Sequence, residues 1–139
     1  MRALAAVTMA MLLASAASAS ERLYFSDSAA CACLGATKAA ESYLSALSSP
    51  NRGVVESALA HVAMITLTMP DCALRSVEEK VKAIESKGVT AELRYKAWVV
   101  RMLMDNPKLF VGIVKTGYEG PDALFAALEG RMAAYYAAN

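Results

Sequence analysis

Three cysteines are the residues of this chain best suited to chemistry. Cys31 and Cys33 are separated by a single alanine, and Cys72 follows about forty residues later. If two antiparallel helices separate them, the start of the first helix and the end of the second lie at the same end of a hairpin, within disulfide reach. We therefore predict a Cys33–Cys72 disulfide, with Cys31–Cys72 as the alternative, that stabilises the fold by roughly 2–4 kcal/mol.

One cysteine would remain outside the predicted disulfide, and its role is open. It could serve redox chemistry or link a partner covalently, or all three cysteines could stay reduced. Against a redox role, Cys31-Ala-Cys33 lacks the Cys-x-x-Cys spacing at a helix N-terminus that lowers a thiol pKa. Zinc would need His61 as a fourth ligand. Because His61 falls halfway along a predicted helix, far from Cys72, we predict no metal and no cofactor.

Ser57 and His61 have the i, i+4 spacing of a nucleophile and its base on one helix. Such a pair also needs a group that orients the imidazole and an oxyanion hole, and the sequence indicates neither. There is no phosphate-binding motif and no pair of carboxylates beside a glycine loop. The sequence therefore predicts a protein that is not an enzyme and has no catalytic residues.

The surface most suited to recognition is a stripe on one helix, formed by Arg94, Trp98, Arg101 and Asp105. Tryptophan and arginine are enriched at binding hot spots, and the two guanidinium groups lie about one turn either side of the indole. The alternative is structural. Trp98 would then pack under the last helix, and Arg101 and Asp105 would form an i, i+4 ion pair.

Helical periodicity covers most of the chain after the N-terminal region and predicts helices over 29–47, 52–68, 77–87, 90–104 and 121–136. Ser49 or Asn51 is expected to cap the second helix, and Ser76 with Glu79 forms a capping box for the third. Thr90 is expected to cap the fourth. The apolar run 108–114 fits a helical turn or a buried extended piece, and no run alternates long enough to build a sheet.

The helix over 90–104 is the best delimited, between Gly88 and Pro107, and we expect it to be the central element of the fold. Its apolar residues form two adjacent stripes, which would require packing on two sides. The first stripe is Leu93, Ala97, Val100 and Met104, and the second is Tyr95, Val99 and Met102.

The N-terminal residues have the features of an export signal. A short basic start at Arg2 is followed by an uncharged apolar run and by Ala17-Ser18-Ala19, a small-residue cleavage site. We predict a signal peptide over 1–19, a lead-in segment over 20–33 and a helical domain over 34–139. The product would be exported, periplasmic or extracellular, with no stable membrane span after cleavage, because the apolar run is shorter than the roughly 20 residues a spanning helix needs.

Charge excludes some partners. Of 14 basic residues only Arg2 lies in the predicted signal, so the exported part would carry 14 − 1 = 13 basic and 13 acidic side chains. A nucleic-acid binder normally has a strong basic footprint, so we expect no nucleic-acid partner. The remaining 120 residues are enough to bury a stable core.

A weak internal repeat appears when the chain is shifted by 39 residues, which places residues 54–58 over residues 93–97. With a proline-bearing stop after each helix, this pattern resembles HEAT and armadillo repeats, in which helix pairs stack. The segments Gly-Val-Val-Glu-Ser-Ala at 53–58 and Arg-Tyr-Lys-Ala at 94–97 also resemble a group of uncharacterised small exported bacterial proteins.

About five helices with connections of a few residues, each antiparallel to the last, predict an all-α fold of stacked α-hairpins in one small domain, and the resemblance implies that the stacking is HEAT-like. It also implies a scaffold for binding proteins, with no catalytic residues carried over. We therefore expect a non-catalytic interaction module with an unidentified protein partner. A periplasmic immunity or chaperone-type binding protein is the first alternative, and a thiol redox protein is the second.

Overall fold

Five α-helices make up most of the described chain. The computed structural model describes residues 36–70, 74–113 and 117–139. The helices are α1 (Ala36–Leu47), α2 (Arg52–Thr68), α3 (Arg75–Lys87), α4 (Ala91–Asp105) and α5 (Pro121–Ala138), with a 3₁₀ turn over Pro107–Phe110. These ranges contain no strand, so the predicted all-α class is confirmed.

Two helices begin at the side-chain caps that the sequence predicts. The Asn51 carboxamide oxygen accepts a hydrogen bond from the Gly53 N–H at 2.9 Å, which makes Asn51 rather than Ser49 the cap of α2. The Thr90 hydroxyl accepts from the Leu93 N–H at 3.1 Å and caps α4. Each cap satisfies an amide that has no partner within the helix.

The predicted capping box of α3 is wrong. The helix begins at Arg75, two residues earlier than expected, and Leu74 precedes it without a side-chain cap. Ser76 is therefore already inside the first turn, where a serine has helical backbone angles and cannot act as the N-cap. Glu78 still places an acidic group in the first turn, where the helix dipole favours it.

Gly88, which ends α3, is needed for space rather than for positive φ. Its φ of −57° is open to any residue. A Cβ at this position would lie 2.6 Å from the Ile84 carbonyl oxygen and 3.1 Å from Cγ of Arg94. The tight turn from α3 into α4 therefore excludes a side chain here.

After α4, the unassigned run 108–114 contains a helical turn, since Leu109 and Phe110 belong to the 3₁₀ turn and are buried. The helical spacing of Leu124, Phe125, Leu128, Met132 and Tyr135 predicts one apolar face for α5, and the first four of these residues are buried. Tyr135, predicted on the same face, is instead exposed. Every residue from 133 onward is exposed, so the last turns of α5 extend beyond the core.

The core is built around α2 and α4, each of which packs against the other, against α5 and against the 3₁₀ turn. α4 also packs against α3, so it contacts three other helices, as expected of a central element. Small residues allow close approach of these helices, and Ala60, Ala63 and Ala97 have no exposed surface. The large fully buried side chains include Phe125, Leu59, Leu103 and Leu124.

Two assignments of helix faces are wrong. The spacing of the large apolar residues in α2 predicts Glu56 and Ala60 on its solvent side, but Ala60 is completely buried and Glu56 is largely covered. Tyr95 was expected in a buried stripe of α4, but it is 46% exposed. Lys96, which the apolar pattern passes over, is buried in its place.

The consecutive pairs α1–α2 and α3–α4 pack together, while their HEAT-like stacking stays a prediction. The predicted signal peptide, the lead-in segment and all three cysteines lie outside the described residues. None of the helices in the described ranges is long and apolar enough to cross a membrane.

Candidate functional site

Both arginines of the predicted recognition stripe are held by neighbouring groups. Arg94 donates from Nη1 to the Gly88 carbonyl oxygen at 2.7 Å, which fastens α4 to the end of α3. Arg101 donates to both carboxylate oxygens of Glu85 on α3, at 2.5 and 3.1 Å. It also reaches Asp105 at 2.7 Å, the i, i+4 pair of the structural alternative.

An aromatic pair occupies the exposed side of α4. The rings of Tyr95 and Trp98 stack with centroids 5.6 Å apart and planes 29° from parallel. Trp98 is half-buried and packs against the core, whereas Tyr95 is exposed. Partial burial, with Glu129 as the second cause, raises the pKa of Tyr95, so its phenol is neutral at physiological pH. The exposed surface is therefore more aromatic and less cationic than the sequence predicts.

The His61 ring contacts the main chain of Ser57, the residue with which its spacing pairs it. His61 Nδ1 lies 2.8 Å from the main-chain carbonyl oxygen of Ser57, one helical turn earlier. Both residues line an open groove of about 720 Å³ between α1 and α2, together with Tyr43 and Val54. This geometry fits the predicted helix histidine.

The strongest polar cluster is one that the sequence analysis missed. Lys96 of α4 has only 7% of its side chain exposed and forms ion pairs with three carboxylates. One is Glu56 of α2, one is Asp122 in the first turn of α5 at 2.7 Å, and the third is Glu92 at 3.3 Å. A single ammonium group thus joins three helices.

Two further contacts complete this cluster, which we call the Lys96 cluster. Arg52, at the start of α2, pairs with Glu92, so α2 and α4 are joined twice. The Lys96 Nζ also lies 5.3 Å from the centre of the Phe125 ring, within cation–π range.

The Lys96 ammonium is charged despite its burial. Burial alone lowers the pKa of Lys96, but hydrogen bonds to Asp122 and Glu56 and the charge of Glu56 outweigh it, and the pKa lies above its usual value. The same contact lowers the pKa of Asp122. No buried side-chain nitrogen or oxygen in the described residues lacks a hydrogen-bond partner. The cluster therefore consists of satisfied charges.

A signal for Lys96 was present in the sequence. Lys96 follows Leu93 by three residues and precedes Val100 by four, which places it on the apolar face of α4. Glu56 precedes Ala60 by four residues in the same way. When a basic residue lies on the apolar face of one helix and an acidic residue on the apolar face of another, the two are expected to form an ion pair, because an unpaired buried charge costs too much free energy.

The arrangement does not suit a metal or a proton-transfer centre. The three carboxylates of the Lys96 cluster share one ammonium, and the described residues contain no group of three or more histidine, cysteine or acidic side chains that could hold a metal ion. What it can do is fix the position of α4 against α2 and α5. The aromatic pair lies on a different side of that helix, where Tyr95 is exposed and Trp98 is half-buried.

Comparison with known protein families, with curated proteins and with solved structures finds no match to this chain.

Proposed function

We propose that this chain is an exported, non-catalytic protein-interaction module that binds its partner through the exposed side of α4. The observation that carries the proposal is the stacked pair of Tyr95 and Trp98 at the surface. Aromatic side chains supply large contact area with few rotatable bonds, and they dominate the energy of many interfaces.

The surroundings of this pair support binding because they are already ordered. Arg94 and Arg101, on either side of Trp98, are held by Gly88 and Glu85. A partner would not have to immobilise these long side chains, and ordering each one costs about 0.5–1.5 kcal/mol at an interface. The charged groups would form the polar rim of a contact whose centre is aromatic.

The buried contacts of α4 also support the proposal that this helix binds a partner. Lys96 fixes α4 to α2 and α5 through Glu56 and Asp122. A helix held in this way presents its outer side chains in one orientation, which lowers the entropic cost of binding. The export part of the proposal rests on the sequence of residues 1–19.

Site-specific photo-crosslinking tests the proposal. A photoreactive phenylalanine analogue at position 95 or at position 136, in the chain expressed in its own cells, compares the aromatic pair with another exposed tyrosine. We expect position 95 to give a discrete crosslinked product and position 136 to give none. Tyr95→Ala and Trp98→Ala should each weaken binding of the recovered partner by about tenfold or more.

The matched control is Tyr136→Ala, which removes a somewhat more exposed ring from the far end of α5. It should leave affinity unchanged. Far-ultraviolet circular dichroism of each variant separates loss of binding from loss of folding. A partner that crosslinks equally at both positions, or whose affinity is the same for all three variants, would place the interface elsewhere.

A further inference from the structure

A second concave site lies at the end of the domain where the α1–α2 connection faces α3. It is a groove of about 380 Å³ between Ser48–Pro50, the second half of α3 and the α3–α4 turn. Its apolar lining includes Leu47 and Val55 on one side and Ile84 and Leu93 on the other. These are core residues, so the floor of the groove is continuous with the core.

The charges that line this groove all have the same sign. Lys80 and Lys87 of α3 and Arg52 of α2 line it, and no acidic side chain of the described residues does. Arg52 is paired with Glu92, whereas neither lysine forms an ion pair within the described part of the chain. Seven residues separate the two lysines, so their backbones lie on one face of α3 about 10 Å apart.

An exposed apolar residue borders the same groove. Val89, in the turn between α3 and α4, lines it and is 92% exposed, the highest value among the large apolar side chains of the described residues. Thr90 beside it is already engaged as the cap of α4. Val89 thus offers uncovered apolar surface at the mouth of a groove whose floor is also apolar.

From this juxtaposition we propose that the groove binds a small amphipathic carboxylate, with its alkyl chain on the apolar floor and its carboxylate between Lys80 and Lys87. The volume falls in the range of about 300–1,000 Å³ of small-molecule sites, near the lower end. A medium-length fatty acid combines the required single negative head with an unbranched apolar body. This site is separate from the aromatic surface of α4, so the proposal does not rest on the proposed function.

Binding of decanoate, below the concentration at which it forms micelles, tests the proposal on the chain from Ser20 to Asn139. Calorimetry and amide chemical shifts are the readouts. We expect saturable binding with shifts that map to α3 and the α3–α4 turn. Decanol and acetate, which each lack one half of the ligand, should bind at least about fivefold more weakly.

Two sets of variants, each with its own control, separate the effect of the lysine charges from the effect of the space in the groove. Lys80→Ala and Lys87→Ala should each weaken decanoate binding by about fivefold, while Lys108→Ala, an exposed lysine in the 3₁₀ turn, should leave it unchanged. Ala83→Leu places a larger side chain in the groove and should abolish binding. Ala126→Leu makes the same change on the exposed surface of α5 and should have no effect.

Several results would overturn the proposal. They are the absence of saturable binding, equal binding of decanol and decanoate, shifts confined to the groove between α1 and α2, or binding that survives Ala83→Leu. A folded Ala83→Leu variant, verified by circular dichroism, keeps the last result interpretable. Since the aromatic surface is tested by crosslinking at position 95, failure here leaves that test unaffected.

Discussion

Helix α4 carries two cationic side chains, Lys96 and Arg101, on different sides. Both pair with carboxylates, but they differ in how much of the side chain is exposed to water. Lys96 faces α2 and α5 and binds three carboxylates with 7% of its side chain exposed. Arg101 faces α3 and binds Glu85 and Asp105 with 25% exposed. Both clusters join helices through charge, but only Lys96 and its partner Glu56 are largely withdrawn from water, whereas Asp122 and Glu92 stay exposed.

The difference in burial decides what each cluster contributes. A charge removed from water loses several kcal/mol of hydration, so Lys96 depends on its carboxylates to be tolerated at all. Arg101 keeps part of its hydration, and its ion pairs are worth little more than surface pairs. The Lys96 cluster therefore fixes which helices pack together, whereas the Arg101 cluster adds modest stability to a contact that Val77, Val81 and Ile84 already make apolar.

The largest effect should come from removing the best-covered carboxylate of the Lys96 cluster. Glu56→Ala leaves the buried ammonium with Asp122 and Glu92, both of which are more exposed. We expect the free energy of unfolding to fall by about 3 kcal/mol. Glu85→Ala, the matched change at Arg101, should cost about 1 kcal/mol. Urea denaturation of the two variants and the parent measures both.

A double variant sharpens this comparison. Glu56→Leu with Lys96→Met replaces the charged pair by apolar side chains of similar size, and we expect its stability to lie within about 1 kcal/mol of the parent. Such a stability would show that Glu56→Ala destabilises the fold because it leaves the buried Lys96 ammonium without its best-covered carboxylate. Equal losses for Glu56→Ala and Glu85→Ala would mean that burial makes no difference between the clusters.

The second effect is a dependence of stability on alkaline pH that Lys96 contributes and Arg101 does not. Because the pKa of Lys96 is raised in the folded chain, the unfolded chain loses this proton first as pH rises past 10.5. The stability contributed by the charged group is complete below that pH and should fall by about 1.4 kcal/mol per pH unit above it. Lys96→Met should abolish this component, as measured by urea unfolding between about pH 9 and pH 12.

Arg101→Met serves as the comparison, because arginine is charged throughout this range and its pKa is raised further by hydrogen bonds to Glu85. Tyr43 and Tyr118 also have pKa values raised by burial and would contribute to alkaline unfolding in every variant. Only the difference between variants is therefore informative. An alkaline slope that Lys96→Met leaves intact would assign the dependence to the tyrosines or to Lys82, whose pKa is raised by its hydrogen bond to Glu78.

The sequence predicted the helices better than the contacts between them. Helix α2 has the predicted bounds and α4 has the predicted Thr90 cap, because caps and prolines act within a few residues of the chain. The ion pair of Glu56 and Lys96 joins residues 40 positions apart. A prediction from periodicity alone assigns every charged side chain to solvent. It therefore places Glu56 on the solvent side of α2 and gives Lys96 no part in the core.

The exposed side of α4 differs from the stripe that the sequence predicts for a related reason. A helical wheel places Arg94 and Arg101 near Trp98, but it cannot show that Gly88 and Glu85 of α3 occupy both guanidinium groups. Once these are held, the exposed side of α4 moves toward Tyr95. The position of the neighbouring helix decides which polar side chains stay available, and that position is a tertiary property.

The smallest effect should come from Asp105, the exposed partner of Arg101. Asp105 gains from an i, i+4 pair worth about 0.3–0.5 kcal/mol, but it is the last residue of α4, where the helix dipole disfavours a negative charge by a similar amount. Asp105→Asn should therefore change the free energy of unfolding by less than about 0.5 kcal/mol. Any remaining difference in the free energy of unfolding should disappear as the salt concentration is raised from roughly 0.01 M to roughly 1 M, because salt screens exposed charges. A loss as large as that of Glu85→Ala would instead mean that Asp105 orients Arg101 toward α3, and that the two carboxylates act as one site.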